Sequence, residues 1–312
     1  METPTGKITT SGGIKDATSD VKITSAHFAN EEYVVLQKSQ GHFVSPQTYQ
    51  SDPNTRYLVN RPYLVDWLGH IGEFFHLQET TVHVSVLFLD KILRSKPDFP
   101  GGNSYLMAAV CLSVAAKYEE AERNCPRLSE LLKVPNLHNC GFTPASFRKS
   151  ELQILNMLQW KLRAISPLHV LQFWLTDSSG FLHPKDRPIS KRQRVGKSLR
   201  KFASFFSNIC LQEYTFQQYY PTHLAAAILM ACRFAVKVKP CWRPELTKLT
   251  GYEKKDVQFL FGHVWHLYAT KFPQEVSKYR PLSPRSVVTA SAASVTDSPK
   301  STTNLSIDSR SP

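Results

Sequence analysis

A chain of 312 residues with 42% hydrophobic side chains and a formal net charge of +13 suits one large or two modest domains, and its apolar content excludes wholesale disorder. The longest mainly apolar run, Leu106 to Ala116, is shorter than the roughly 20 residues that cross a bilayer, and Met1 to Lys7 hold no apolar stretch of the secretory kind; no membrane partner is expected, and the nucleus or cytoplasm is the expected location. Residues 161–280 carry twenty basic and seven acidic side chains while the rest is near balance, so a basic face open to an acidic partner is expected on the second half.

Residues 1–28 are rich in Ser, Thr, Gly and Lys without apolar periodicity and read as a flexible arm. A short helix is predicted over Asn30–Ser39, then an extended connector through Pro46 and Pro53. From Asn60 the pattern turns helical. Asn60 is predicted to cap a helix with Pro62 in its first turn, and Leu64, Trp67, Leu68, Ile71 and Phe75 recur at three- and four-residue steps for burial. Further helices are predicted over Glu79–Leu93, Asn103–Glu122 and Leu128–Lys133. A fifth starts at Thr143-Pro144 and runs to about Trp160.

Ser166-Pro167 opens a second set, over about 167–176, 190–211, 221–237, 243–249 and 253–271. Its central run, Leu224 to Ala231, echoes Leu106 to Leu112. Alanines let helices approach closely, so each run is expected to be the hub of a five-helix bundle. The expected organisation is all-α: an arm at 1–28, a first bundle with its preceding helix at 29–164, a basic second bundle at 165–276, and a disordered Ser/Thr/Pro-rich tail at 277–312.

Chemistry-bearing motifs are scarce. The six cysteines are scattered without a CxxC, so neither a metal nor another cofactor is expected, and reduced thiols are. No phosphate-cradling glycine loop, nucleophile elbow or HExxH is present, and an enzyme is not expected.

Four segments carry a resemblance: Arg61-Pro62-Tyr63-Leu64-Val65-Asp66-Trp67-Leu68, Leu87-Phe88-Leu89-Asp90-Lys91-Ile92-Leu93, Leu112 to Glu120 with its Lys117-Tyr118-Glu119-Glu120 ending, and Glu151 to Leu158. In this order and spacing they resemble the cyclin box. Cyclins consist of two five-helix repeats, and residues 30–272 resemble them, most strongly over 57–175. Leu211 to Phe216 with Cys241-Trp242-Arg243-Pro244 is most similar to the cyclin J branch.

The resemblance implies an activating subunit that forms a heterodimer with a cyclin-dependent kinase, which supplies the ATP site and every catalytic group. It places Lys117 and Glu151 at the kinase contact. Val114, Tyr118, Leu155, Trp160 and Leu162 match apolar positions that receive the kinase's regulatory helix. Periodicity alone would put all five in the core. With the resemblance, Tyr118 and Leu155 are the expected partly exposed anchors. Arg61 and Asp90 match an arginine–aspartate pair between the first two helices, expected here as an internal salt bridge. Where substrate-docking cyclins have an apolar patch with an acid, this chain has Asn60, Tyr63 and His70, so docking by that route is not expected.

Lys191, Arg192, Arg194 and Lys197 form a basic cluster that reads equally as a nuclear-import signal and as a solvated helix face. Ser283-Pro284-Arg285 and Ser298-Pro299-Lys300 resemble proline-directed phosphorylation sites. The competing readings are a basic nucleic-acid or transcription-associated module and a kinase-independent scaffold. The Lys117-Tyr118-Glu119-Glu120 ending favours the kinase over nucleic acid.

Overall fold

The computed structural model describes residues 34–35, 37–44, 55–95, 103–138, 140–176 and 189–276. The expected arm, the tail and its Ser283 and Ser298 motifs lie outside them. The first set of helices is α1 (Thr55–Phe74), α2 (Glu79–Ser95), α3 (Ser104–Glu119), α4 (Leu128–Leu131) and α5 (Pro144–Met157). The second is α6 (Pro167–Trp174), α7 (Ile189–Gln212), α8 (Pro221–Ala235), α9 (Pro244–Thr250) and α10 (Lys254–Lys271), followed by the short α11 (Pro273–Val276). No strand occurs among the described residues, and the all-α pair of five-helix sets is as expected.

Local chemistry fixes most helix starts. Thr143 Oγ1 accepts from Ser146 N at 3.1 Å, and Pro144 sits in the first turn of α5, where its missing N–H leaves nothing unpaired. Ser166 and Pro167 open α6 in the same way. Asn103 Oδ1 caps α3 by accepting from Tyr105 N at 2.9 Å and Leu106 N at 3.1 Å.

Asn60 does not cap α1. The helix begins at Thr55, which leaves Pro62 inside it at the cost of one backbone hydrogen bond. The extra turns bury Tyr57, whose hydroxyl donates to Asp90, and that tertiary anchor outweighs the local stop signal. α5 ends at Met157, short of Trp160, because Gln159 and Trp160 take left-handed backbone angles (φ 54° and 58°).

Each set closes around its alanine-rich helix. Residues Leu106 to Ala116 of α3 are all buried, with Ala108, Ala109 and Ala115 at 0% exposure, which allows α2 to lie close against it. In α8, Leu224 to Arg233 are likewise buried. A fully buried leucine such as Leu68 or Leu112 contributes about 1.5–3 kcal/mol. Cys111, Cys210 and Cys232 are buried in these interiors, where they pack as small apolar groups.

One compact unit ends at Leu267. The other begins at Tyr268 and holds the last turn of α10 and α11, where Phe272 N donates to Tyr268 O at 2.8 Å. Within the first unit the two helix sets are joined by polar contacts. Arg61 Nη1 donates to Gln212 O at 2.8 Å, Gln212 Nε2 donates to Asp66 Oδ1 at 2.6 Å, and the His83 ring meets Asn208 Oδ1 at 2.8 Å.

The α1–α2 contact depends on a glycine. A Cβ at Gly72 would lie 2.3 Å from Val82 Cγ2, and the branched valine has little rotamer freedom in a helix with which to move away. At Gly69 a Cβ would meet nothing within 4 Å. Gly69→Ala is therefore expected to raise stability by up to about 1 kcal/mol. Gly72→Ala is expected to lose about 1–2 kcal/mol net, as overpacking outweighs the propensity gain. Urea denaturation of both variants checks the opposite signs.

Candidate functional site

Helix α3 runs buried for eleven residues and then emerges at Lys117 and Tyr118. At this emergence the Lys117 ammonium pairs with the Glu151 carboxylate of α5; their side chains are 56% and 16% exposed. The two residues expected together are thus brought together, with the lysine facing solvent and the glutamate partly sheltered.

The glutamates that follow are occupied elsewhere. Glu120 Oε1 accepts from Gln78 N and from Thr81 Oγ1, each at 2.7 Å, which fastens the end of α3 to the start of α2. Glu119 Oε2 lies 3.5 Å from His169 Nε2 of α6. Lys117 therefore has Glu151 as its ion-pair partner while its sequence neighbours hold the backbone in place.

The apolar residues expected beside this pair divide into three groups. Tyr118 is 48% exposed, and Leu155 and Leu162 are half-buried, packed on the core with an open edge. Trp160 is more open still at 61%, held out by the left-handed turn after α5, with its indole Nε1 donating to Asn156 Oδ1 at 3.2 Å. Two consecutive non-glycine residues at positive φ cost about 1–2 kcal/mol each and persist where the surroundings impose them.

Val114 contradicts the expectation. It is 3% exposed, one turn before Tyr118, where α3 is still enclosed, so it supports the surface from beneath and cannot form part of it. Leu152, 54% exposed and adjacent to Glu151, was not expected as a surface residue. Its three-residue spacing from Leu155 is the only signal for it in the sequence, and core leucines share that spacing.

The Arg61–Asp90 pair is internal. Arg61 Nε and Nη2 donate to Asp90 Oδ1 and Oδ2 at 2.7 and 2.9 Å, with side-chain exposures of 1% and 5%. The Tyr214 ring lies 5.4 Å from the guanidinium carbon, a cation–π contact. Burial, followed by the Asp90 charge, pushes the Tyr57 phenol well above its ordinary value, so it remains a donor.

Tyr63 is 68% exposed over a groove of about 710 Å³ shared with Asn60, Tyr105 and Phe142; His70, where the resemblance has an acid, faces solvent with Nδ1 2.7 Å from Asp66 O. In the second set, Arg194 and Lys197 are exposed on α7, which contains no acidic residue, while the side chains of Lys191 and Arg192 lie outside the described ones. No group of three or more His, Cys, Asp and Glu residues among those described is placed to hold a metal ion, and no described helix is long and apolar enough to cross a membrane.

The cyclin N-terminal domain model matches residues 31–163, and the cyclin C-terminal domain model matches residues 186–293. Cyclin-D of Ostreococcus tauri is 28% identical over 212 residues, covering 67% of this chain and 55% of that protein. Cyclin-J of Xenopus laevis is 27% identical over 198 residues, covering 62% of this chain and 50% of that protein. The chain thus spans about half the length of these relatives. The crystal structure of a viral cyclin from herpesvirus saimiri shares the fold, with a TM-score of 0.52 at 20% identity, covering 71% of this chain and 86% of that one. With both family domains matched over most of its length, the chain belongs to the cyclin family, and cyclin J proteins are among its relatives.

Proposed function

We propose that this chain is the regulatory subunit of a cyclin-dependent kinase and binds that kinase through the surface where α3 emerges beside α5. The observation that carries the reading is the Lys117–Glu151 pair, half open to solvent, with exposed Tyr118 next to Lys117 in the chain. An ammonium and a carboxylate that hold each other still retain spare donors and acceptors for the backbone of a partner loop. Tyr118, Leu155, Trp160 and Leu162 offer an apolar floor to an amphipathic helix. Binding there favours whichever kinase arrangement fits the surface, and activation follows as a shift of population. A role in cell-cycle control is part of this proposal, as is nuclear or cytoplasmic location. The α7 face with Arg194 and Lys197 is assigned to an acidic protein partner rather than to nucleic acid.

Co-purification with a panel of cyclin-dependent kinases, followed by a phosphorylation assay, tests the proposal. Wild type is expected to bind and activate at least one kinase. The Lys117→Ala, Glu151→Ala double variant, shown by circular dichroism to fold, is expected to lose binding by at least about a hundredfold, the cost of two hot-spot truncations. A folded wild type that binds no kinase in the panel sinks the proposal and brings the scaffold and nucleic-acid readings forward. Steeply salt-dependent DNA binding would select between those two.

A further inference from the structure

A small cavity lies where α2, α6, α7 and α8 meet the turn at Gln40–Phe43. About 20 Å³ of it is open to the centre of a water molecule. Its walls are mostly apolar, from Phe43, Leu87, Ile165, Phe216 and Leu224, and no Asp, Glu, Lys or Arg among the described residues lines it. Its polar lining includes His83 of α2 and Ser207 of α7, one from each helix set.

These two are among the most deeply buried polar side chains, at 1% and 2% exposure. Among the described residues, His83 Nδ1 and Ser207 Oγ have no hydrogen-bond partner. His83 Nε2 lies 2.8 Å from Asn208 Oδ1, and with that oxygen as acceptor Nε2 carries the ring proton and Nδ1 presents a bare lone pair. A buried polar atom left unpaired is costly, and leaving two beside one void compounds the cost.

The volume decides which ligand relieves them. A buried water needs at least about 10–15 Å³ on this measure together with two to four polar partners. An organic molecule is too large, and an ion would find no counter-charge. We propose that the cavity binds one water molecule, which donates to His83 Nδ1 and accepts from the Ser207 hydroxyl. Partly exposed Gln217 and Tyr219, also on the lining, add further polar groups at the site. The water completes a polar joint between the two helix sets that already includes the His83–Asn208 contact. This site stands independently of the kinase reading.

Ser207→Ala gives the test a sign. If the hydroxyl holds the water, its loss leaves both the water and His83 Nδ1 poorly bonded, and the melting temperature is expected to fall by about 2–4 °C. If the hydroxyl is an orphan in a dry cavity, alanine removes a buried unpaired group and the melting temperature holds or rises. The companion measurement is a high-resolution crystal structure of the wild-type chain. A density peak about 2.7–3.2 Å from both His83 Nδ1 and Ser207 Oγ is expected. A fall in melting temperature with the peak present supports the site. A melting temperature unchanged or raised overturns it, and so does a cavity without the peak.

Discussion

Arg61→Ala is expected to lower the unfolding free energy by about 3–5 kcal/mol, the range for removing one partner of a buried ion pair. The charge left behind is the decisive term. Asp90 is 5% exposed in its side chain and would lose both guanidinium donors while keeping the Tyr57 hydroxyl. The Gln212 carbonyl would lose its Arg61 donor, and the Tyr214 ring its cation. Replacing both charged residues with apolar ones of similar size, as in Arg61→Met with Asp90→Leu, should recover most of the loss, because no uncompensated charge remains. Urea denaturation of the single and double variants checks this. A loss below about 1 kcal/mol in Arg61→Ala would mean that water reaches Asp90 and the pair is less sealed than its exposure indicates.

Acid is expected to weaken the fold through His83. Burial is the main cause that lowers this imidazole from 6.5 to about 4; the charge of His169 adds to it and the Asn208 hydrogen bond opposes it. In the unfolded chain the ring takes up a proton near pH 6.5, whereas in the folded chain it does so only near pH 4. Between those values the unfolded state binds more protons, so stability falls as pH falls, and below about pH 4 the His83 contribution levels off. The full window corresponds to about 3 kcal/mol. Carboxylates add their own acid sensitivity at its lower end, so the comparison is with His83→Gln, which does not titrate. The stability difference between wild type and His83→Gln should shrink by most of that amount between pH 7 and pH 4. A difference that stays constant across the window would show that His83 is not the source.

How much of this was legible in the sequence depends on whether the signal was local. Thr143-Pro144 and Ser166-Pro167 announce α5 and α6 because the cap and the ring act on their own backbone. Asn60 with Pro62 carries the same local signal and misleads, because Tyr57 gains a buried partner in Asp90 from a distant helix. The Lys117–Glu151 and Arg61–Asp90 pairs were expected through family resemblance, and no spacing rule links residues so far apart in the chain. Val114 and Tyr118 share one helical face, yet only the second is exposed, since what separates them is where α3 leaves the bundle. Trp160 owes its exposure to a backbone turn that neither periodicity nor composition encodes. The His83–Ser207 cavity was invisible for the same reason: it exists only once both helix sets are assembled.

Under the proposed kinase-binding reading, the fastening of the end of α3 bears on how long the kinase would stay. A free lysine side chain loses up to about 2 kcal/mol of rotamer freedom when it is captured. Lys117 is already held by Glu151, on a backbone that Glu120 ties to Gln78 and Thr81. Much of that ordering is complete before any encounter. Diffusional arrival is little affected by it, whereas departure requires breaking contacts that recover almost no side-chain entropy. If a kinase binds this surface as proposed, Glu120 would lengthen its stay from a position where it need not touch it.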